Sequence, residues 1–581
     1  MAPAQGPKAP FYIAVFLVVI GLIAFAGWRF FGGGGEVAGP DPDNGDLTGS
    51  DLQLTQQLED PATAGITTVT EFEIIPKESL IAVKGASAYK PMEENTVRFA
   101  LNVWAGWAPI IYANGGAKAG KIWKTPDGKE FKVQLVLIDD PTQMLDTYSA
   151  GDVHIGWATL DMMPLFMERL VDDNGKPIDS RVMPRIYQQI DWSNGGDGIV
   201  VRDNIKTVKD LRGKSIALAQ NSPSHYFLLN MLVNGGVQPR EVDMKFTADA
   251  FEAAALYASN KDISACVSWA PDIYTLADSQ GSKMLVDTAT ANRMIADVWF
   301  ARADYAQDHP DIVEGLARGI FDAMDDLKDQ ENKKQAAQLM ADVYNIPAEE
   351  TMGMFADAQS TGWGDNYQFF VNENYLANFK RVWDNAYSLY GHIRVIKKPK
   401  VEFSQVMDFT LIKKLGEEEK YQQQAVERVK FAPRVISAAE AEEAVLTTTH
   451  YIHFFPNSAD INKKVPSEDD PEKKVAYDPN IDFVLDAIGK QIGQFERSRV
   501  VIEGHTDSSM KGKVDEDLVM ELAQDRADSV RSALVEKFEQ LDPDRFQTTG
   551  VGWRRPADTG NPNDHAKNRR VEVRILPAEG L

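Results

Sequence analysis

A helix N-terminus with polar side chains is predicted in the middle of this 581-residue chain. A strand over 215–219 runs into Ser222 and Pro223, and serine followed by proline is typical of the first positions of a helix. Ser224 and His225 come directly afterwards. Backbone N–H groups at a helix N-terminus attract negative charge, so the segment predicts a seat for an anionic group.

Three tryptophans follow other predicted strands. Trp104 and Trp107 come after the strand over 97–103, and Trp269 comes after the strand over 263–268, with Asp272 nearby. A tryptophan at a strand end commonly packs in the core, and that reading stays open for each of them. Three at the strand ends of one sheet favour a ligand cleft with aromatic walls and a carboxylate.

A cation interrupts the apolar stripe of a helix predicted near the C-terminus, over 517–538. The stripe has spacing four and consists of Leu518, Leu522, Val530, Leu534 and Phe538. Arg526 occupies the remaining position. A buried cation is costly unless it is paired. Arg526 is therefore either part of a structural salt bridge or the binding group for an acidic ligand.

The elements that would position the first set of residues alternate between strand and helix from about 95 to 397. Strands are predicted over 97–103, 133–138, 154–157, 185–190, 198–201, 215–219 and 263–268, and helices over 141–150, 222–233 and 250–259. This alternation predicts an α/β fold with a mainly parallel sheet. Ligands of such sheets bind beyond the carboxyl ends of the strands.

The segments LNVWAGWAP, SAGDVHIGWAT, VKDLRGKSIALAQNSPSHYFLL and ISACVSWAPDIY occur in this order over about 250 residues. They resemble the periplasmic solute-binding proteins of nitrate/sulfonate/taurine-type ABC importers. The resemblance implies a two-lobed, type II-like periplasmic-binding-protein fold, with crossovers near 191–197 and 287–300. It also implies cleft residues, which are Trp104, Trp107, Ser222, Ser224, His225 and Trp269, with Asp197 and Asp272 as further candidates. Ala270 stands where the family often has glutamate, which leaves the ligand's identity open.

The C-terminal segments VIEGHTD, LAQDRADSVRSAL, TTGVGWRRP and NRRVEVRI resemble the OmpA-like peptidoglycan-binding domain, an α+β fold, over about 130 residues. In that family an aspartate binds the ammonium of diaminopimelate and an arginine binds its carboxylate. The resemblance assigns these roles to Asp507 and Arg526, and it places Asn568 and Arg569 near the same pocket. The residues before Arg526 depart from the family pattern, since Val519 and Ala523 replace an amide and a hydroxyl.

Composition excludes several classes of function. A net charge of −25 argues against a nucleic-acid partner. The single cysteine, Cys266, lies in an apolar strand and is expected in the core. It cannot supply a disulfide framework, a Cys-rich metal site or the cysteine motif of the related thiamine-pyrimidine synthases. No common catalytic motif occurs, so we expect no enzyme activity, no cofactor and no metal site.

The N-terminus contains 18 residues without a charge, from Phe11 to Trp28. A bilayer core needs about 20 helical residues, so we predict a transmembrane helix over 11–31, preceded by a cytoplasmic N-terminus over 1–10. A cleaved signal peptide is the alternative. Either interpretation places the bulk of the chain in the periplasm of a Gram-negative-type envelope.

The predicted order is this anchor, a linker over 32–94, a solute-binding domain over 95–400, a helical connector over 401–447 and an OmpA-like domain over 448–577. We interpret the chain as an inner-membrane-anchored receptor for a small anionic or zwitterionic solute, such as nitrate, a sulfonate, a carboxylate or an amino acid, that is attached to peptidoglycan. An ABC permease is one expected membrane partner. The alternative resembles the B subunit of flagellar stators and would use a stator-like partner. It is disfavoured because 11–28 contains no acidic residue.

Overall fold

The computed structural model describes residues 80, 83–424, 429–467, 470, 472–557, 559–563 and 565–579. The predicted cytoplasmic N-terminus, the predicted transmembrane segment and residues 32–79, 81 and 82 of the predicted linker lie outside the described residues. Within the described ranges, no helix has both the length and the apolar character needed to cross a membrane.

The strands and helices are numbered separately in chain order. The strands are β1 (Thr96–Leu101), β2 (Trp123–Lys124), β3 (Glu130–Leu137), β4 (Ile155–Thr159), β5 (Pro184–Ser193), β6 (Asp197–Arg202), β7 (Ser215–Ala219), β8 (Asp243–Thr247), β9 (Ala265–Trp269), β10 (Ser282–Asp287), β11 (Ala296–Arg302), β12 (Ala358–Ser360), β13 (Leu446–His450), β14 (Lys464–Pro466), β15 (Lys474–Ala476), β16 (Ser498–His505), β17 (Phe546–Gly552) and β18 (Arg570–Ala578). The α-helices are α1 (Ala108–Asn114), α2 (Pro141–Ser149), α3 (Met163–Leu170), α4 (Pro223–Asn234), α5 (Ala250–Ser259), α6 (Asp272–Ala277), α7 (Ala303–Asp308), α8 (Pro310–Asp326), α9 (Gln330–Tyr344), α10 (Ala348–Gly353), α11 (Trp363–Phe370), α12 (Phe379–His392), α13 (Thr410–Leu415), α14 (Glu419–Gln422), α15 (Ala438–Glu442), α16 (Ile481–Gly493), α17 (Glu516–Lys537) and α18 (His565–Asn568).

Two sheets form two lobes in the first part of the chain. The first lobe has the strand order β12-β5-β11-β4-β1-β3-β2, and the second has β10-β6-β9-β7-β8. Both sheets are mixed, so the prediction of a mainly parallel sheet is wrong. β1 is parallel to β3 and β4, whereas β11 is antiparallel to both β4 and β5. The reason is that β11 brings the chain back from the other lobe and enters its sheet from the opposite end.

The chain passes between the lobes twice. Residues 194–196 join β5 to β6, and residues 288–295 join β10 to β11. The segments predicted as crossovers, 191–197 and 287–300, contain these connections. Since β1, β4 and β5 end at this junction while β6 and β11 begin there, their terminal side chains meet between the lobes.

The C-terminal domain is an α+β unit with the sheet order β13-β18-β16-β17. Its main core joins apolar side chains of α16 and α17 to those of the central strands, including Ile488, Val530, Ile502 and Val573. A second, smaller core lies on the other face of the sheet, where Ile436 and Ala441 pack against Val501 and Leu576. The sheet is therefore covered on both faces.

The predicted helical connector is divided between the two parts of the molecule. Met407 bridges to Ile186 of β5, and the indole of Trp363 donates to the carbonyl of Ile412, 2.8 Å away. These contacts attach the segment through α14 to the first lobe. Residues 429–446 contact the C-terminal domain instead, where Phe431 N donates to Asp542 at 3.0 Å.

The C-terminal domain contacts the lobe crossovers directly. Arg497 Nη1 donates to Asn194 at 2.8 Å, and Glu496 forms a 2.6 Å ion pair with Arg293. Gln494 donates to Asn230 of α4 at 3.2 Å. The segment after α16 thus contacts both crossovers and the second lobe.

Candidate functional site

A row of polar side chains crosses the first-lobe sheet at the lobe junction. In the strand register, Asp297 of β11 is opposite Asp191 of β5 on one side and opposite Thr159 of β4 on the other. Residues directly opposite in antiparallel strands project from the same face. Asp161 follows Thr159 by two residues in a short 3₁₀ turn, Leu160–Met162. All four side chains are buried.

Two further buried carboxyl groups complete this set, which we call the junction aspartates: Asp161, Asp191, Asp197, Asp297 and Asp357. Asp197 begins β6 and accepts a 2.6 Å hydrogen bond from Ser193 Oγ. Asp357 accepts a hydrogen bond from the phenol of Tyr274 of the second lobe. The set therefore includes side chains from both lobes.

The junction aspartates have hydroxyl and indole donors but no cationic partner. Burial raises the pKa of Asp161, Asp191 and Asp197 to about 7 and that of Asp357 to about 6, and it raises the pKa of Asp297 well above its usual range. Neighbouring carboxyl charges raise the pKa of Asp161, Asp191, Asp197 and Asp297 further, whereas the hydrogen bond from Tyr274 lowers that of Asp357. Within the described ranges, no lysine, arginine or histidine forms an ion pair with any of the five.

The two predicted tryptophans after β1 have different surroundings. The indole of Trp104 donates to both oxygens of Asp191, at 3.1 and 3.3 Å. Gly106 makes this approach possible, since a Cβ there would lie 1.5 Å from Asp191 Oδ2. Trp107 is fully buried, donates to Asn102 at 2.7 Å and packs edge-on against Phe99. Trp107 therefore packs in the core, and its role as a cleft residue stays a prediction.

The third tryptophan lies at the junction edge of the second lobe. Trp269 is half-buried and is paired in register with Asp197. Asp272, at the start of α6, is also half-buried, and burial together with the charge of Asp249 raises its pKa. Cys266 is in the core of this lobe, where burial raises the pKa of its thiol to about 12.

At the N-terminus of α4, three predicted residues are buried. Ser222 takes the N-cap position, but its hydroxyl donates to the carbonyl of Ala219 at 2.8 Å and makes no capping bond. Ser224 Oγ and His225 Nε2 are buried and have no hydrogen-bond partner among the described residues. Asn221 N donates to His225 Nδ1 at 3.3 Å, so the neutral ring carries its proton on Nε2.

A groove of about 910 Å³ opens between the lobes beside this helix. Asn221 and Phe246 line it from the second lobe, and Asp140 and Arg169 line it from the first. The ring of Phe246 contacts His225, with 5.2 Å between ring centroids. One aromatic side chain, Phe246, therefore contacts both the groove and the buried N-terminus of α4.

In the C-terminal domain, Asp507 is fully buried directly after β16. Its carboxylate accepts a 2.7 Å hydrogen bond from Ser509 N and pairs with Arg569 Nη1 at 3.1 Å. His565 Nδ1 lies 3.6 Å away. Asp507 and Arg569 are thus brought together as the sequence predicts.

Arg526 and Asn568 contact the backbone around this region. Arg526 is 2% exposed, donates through Nε to the carbonyl of Ser458 at 3.0 Å, and lies with its guanidinium carbon 5.0 Å from the ring centroid of Phe454. The side chain of Asn568 accepts from Ala557 N at 2.7 Å and donates to the carbonyl of Pro562 at 2.8 Å. Asn568 therefore holds the preceding loop in place.

A second acidic group of this domain, which we call the sheet network, consists of Glu503, His505 and Glu572 with Arg570 and Arg574. The ligand atoms of the first three lie within 4.8 Å of one another, a spacing compatible with a metal ion. However, Arg574 contacts Glu503 at 3.0 Å and Arg570 contacts Glu572 at 2.7 Å. These cations compensate the carboxylates, so the arrangement is that of a structural ion network.

Four of the junction aspartates were not predicted from the sequence as site residues: Asp161, Asp191, Asp297 and Asp357. A signal was available for two of them, because Asp191 and Asp297 interrupt apolar strands just as Arg526 interrupts an apolar helix face. Asp161 had no comparable signal, since a carboxylate after a strand is usually exposed. Its burial depends on α4 and α12, which are distant in sequence.

Comparisons with known proteins separate the same two regions. Residues 130–333 match the family described as NMT1/THI5 like, and residues 472–570 match the OmpA family. The taurine-binding periplasmic protein of Escherichia coli is 27% identical over 212 residues, which cover 35% of this chain and 62% of that protein. Outer membrane protein Omp38 of Acinetobacter baumannii is 32% identical over 112 residues, covering 18% of this chain and 30% of that protein.

Among solved structures, the periplasmic aliphatic sulphonate binding protein SsuA from Escherichia coli aligns with a TM-score of 0.43 and 20% identity, covering 55% of this chain and 99% of that chain. Neither sequence relative above is matched over two thirds of its own length. The chain carries an NMT1/THI5-like domain, with taurine- and sulfonate-binding relatives, followed by a C-terminal domain of the OmpA family.

Proposed function

We propose that this chain is a receptor of the cell envelope that binds a small solute between its two lobes and attaches to peptidoglycan through its C-terminal domain. The observation that carries the solute-binding part is the group of unpartnered buried polar atoms at the lobe junction, which includes Asp161, Ser224 and His225. Buried polar groups normally have hydrogen-bond partners, and exceptions are concentrated at functional sites. A solute held between the lobes would supply the partners.

The name of one relative supports this proposal, since it describes a periplasmic protein that binds taurine. The groove between the lobes is lined by Phe246, whose ring contacts His225. The predicted helix over 11–31 would hold the chain in the inner membrane. A permease of the ABC type is the membrane partner that we propose for it.

The peptidoglycan part of the proposal depends on Asp507 and Arg526. Asp507 offers a carboxylate for an ammonium group, although such a ligand would share it with Arg569. Arg526 offers a planar guanidinium for a carboxylate. The stator-like alternative remains second, since no contact at either site specifically favours it.

Solute binding is tested by thermal unfolding of the full chain in detergent with nitrate, sulfonates, carboxylates and amino acids. A ligand at 100 times its dissociation constant adds about 2.7 kcal/mol of stability. We expect Ser224→Ala to remove this gain and Ser259→Ala, an exposed helix position, to keep it. A gain that Ser224→Ala leaves intact would contradict the place of this serine in the site.

Peptidoglycan attachment is tested by sedimentation of the full chain with purified sacculi. We expect Asp507→Ala and Arg526→Ala each to remove the sedimenting fraction. Asp482→Asn is the matched control, because Asp482 is an exposed carboxylate of the same domain that pairs with Lys537. Equal sedimentation of all four proteins would show that attachment does not use these residues.

A further inference from the structure

The carboxylate of Asp161 differs from every other junction aspartate in its hydrogen bonding. Both of its oxygens are buried, and neither accepts a well-formed hydrogen bond from the described residues; Thr159 and the backbone N–H of Asp161 itself lie near enough to lower its pKa. Asp191 receives the indole of Trp104, Asp197 receives Ser193, and Asp357 receives Tyr274. Burying a carboxyl group without a strong donor costs free energy. A donor from a ligand would therefore stabilise Asp161.

Its surroundings are acidic and phenolic. The charges of Asp161 and Asp297 act on each other, and Asp197 adds to the charge around Asp161. Two buried phenols, Tyr226 of α4 and Tyr390 of α12, lie within electrostatic reach of Asp161, since its charge raises the pKa of both. Tyr390 Oη has no hydrogen-bond partner among the described residues either.

The turn that carries Asp161 packs against α4 and α12, the helices that carry these two phenols. The ring centroid of Tyr390 lies 5.8 Å from that of His225, whose Nε2 is unpartnered among the described residues. Ser224 Oγ, on the same turn of helix, is buried and unpartnered as well. The unpartnered atoms therefore form one region between the lobes, with a carboxylate on the first-lobe side and neutral donors on the second.

A metal ion is a poor match for this region. In the described part of the chain, the sheet network contains the one group whose three potential ligand atoms all approach within 4.8 Å of one another. No three of the junction aspartates bring one oxygen each within that distance of one another. An organic cation spans such distances, since ammonium, amidinium and guanidinium groups carry several N–H donors.

From these contacts we infer that the solute carries a cationic nitrogen, bound by Asp161 with Asp297 and Asp191 of the first lobe. This inference rests on the proposed function and narrows its ligand class. A purely anionic solute such as nitrate or a simple sulfonate would face five carboxyl groups without a cation between them. A zwitterion is compatible, because Ser224 and the Nε2–H of His225 can donate to its negative group.

The test uses matched probes that differ only in the cationic group: taurine against ethanesulfonate and β-alanine against propionate. Agmatine tests cations that have no negative group, and Mg²⁺, Ca²⁺ and Zn²⁺ test metal ions. Thermal unfolding and calorimetry of the full chain in detergent measure binding. We expect the unfolding temperature to rise with members that carry a cationic nitrogen and to stay unchanged with ethanesulfonate, propionate and the metal ions.

Asp161→Asn is the central variant because it keeps the shape of the side chain while removing the charge. We expect its affinity for the bound probe to fall about 100-fold, the loss typical when one partner of a buried charge pair is removed. The ligand-free variant should unfold at the same or a higher temperature than the wild type at pH 8, whereas a structural carboxylate would make it unfold at a lower one. Asp297→Asn is the second variant and should also weaken binding.

Asp384→Asn is the matched control. Asp384 lies on α12 with Tyr390, but it pairs with Lys380 and Lys400. Binding should be unchanged in this variant. Stronger binding of ethanesulfonate or propionate than of their cationic partners would overturn the inference and leave the proposed receptor function intact, as would a response to metal ions alone. No response to any probe would contradict the receptor function and the inference together.

Discussion

The junction aspartates and the sheet network are two groups of buried carboxyl groups with opposite surroundings. Glu503 and Glu572 lie against Arg574 and Arg570, whereas Asp161 and its neighbours have no ion pair in the described part of the chain. Burial alone would raise the pKa of Glu503, but His505, 3.8 Å away, and the charges of Arg574 and Arg555 bring it below its usual value. Burial raises the pKa of Asp161 to about 7, and the contacts that oppose this rise come from Thr159 and its own backbone, not from a cation.

This difference separates stability from function within one chain. A carboxylate that is compensated by the fold has its partners in place before any ligand arrives. An uncompensated one reduces the stability of the ligand-free protein and is explained if a ligand supplies the missing charge. Perturbed pKa values occur in both kinds of site, so the partner rather than the shift distinguishes them.

The largest expected effect comes from removing a cation of the sheet network. Arg574→Met leaves the buried Glu503 with reduced compensation, and breaking a buried ion pair costs about 3 kcal/mol. Arg554→Met is the control, since Arg554 pairs with Glu516 on the surface and should cost about 0.5 kcal/mol or less. Denaturant unfolding measures both. Equal losses would erase the distinction between the two groups.

The pH dependence of stability should have opposite signs in the two groups. The pKa of Asp161 is higher in the folded chain than in the unfolded chain, so its contribution is favourable at low pH and is lost as the pH rises from about 4 to about 7. Asp161→Asn should therefore become more stable than the wild type across this interval, by about 2 kcal/mol at pH 8. Unfolding free energies at pH 5 and pH 8 measure the difference.

The sheet network should show the reverse. The pKa values of Glu503 and Glu572 are lowered by their neighbours, so their contribution is present above about pH 4.5 and is lost as the pH falls through the lower folded values. In Glu503→Gln, the free energy of unfolding should fall less on acidification than it does in the wild type. A parallel response of the two variants to pH would contradict the contrast.

The smallest expected effect distinguishes the two neighbouring tryptophans. Trp104→Phe removes the donor to Asp191 and should weaken solute binding several-fold, with little change in stability. Trp107→Phe removes a buried hydrogen bond to Asn102 and should cost about 1 kcal/mol of stability while leaving the affinity of the folded protein unchanged. Thermal unfolding and calorimetry on the same samples check both. The reverse pattern would indicate that Trp107, and not Trp104, contacts the solute.

Prediction from the sequence succeeded best where the signal is local. The strand over 215–219 and the helix over 250–259 agree with β7 and α5, because their apolar residues and flanking polar residues lie within a few positions of one another. The antiparallel strands in both sheets were not predicted. The direction of a strand depends on the side from which the chain re-enters a lobe, and no local pattern records that. The N-cap position of Ser222 was predicted, whereas the hydrogen bond from its hydroxyl to the carbonyl of Ala219 at the end of β7 was not.

The sequence by itself determined the order of the two matched regions and the helix N-terminus at Ser222 and Pro223, because each depends on motifs of adjacent residues. The roles of Asp507 and Arg526 depend on motifs of the same kind and stay predictions. Only the tertiary structure decided that Asp191 and Asp297 face each other and that Asp161 is buried beside Tyr390. Those contacts join residues more than one hundred positions apart, and no local pattern records which carboxyl groups long-range packing will remove from water.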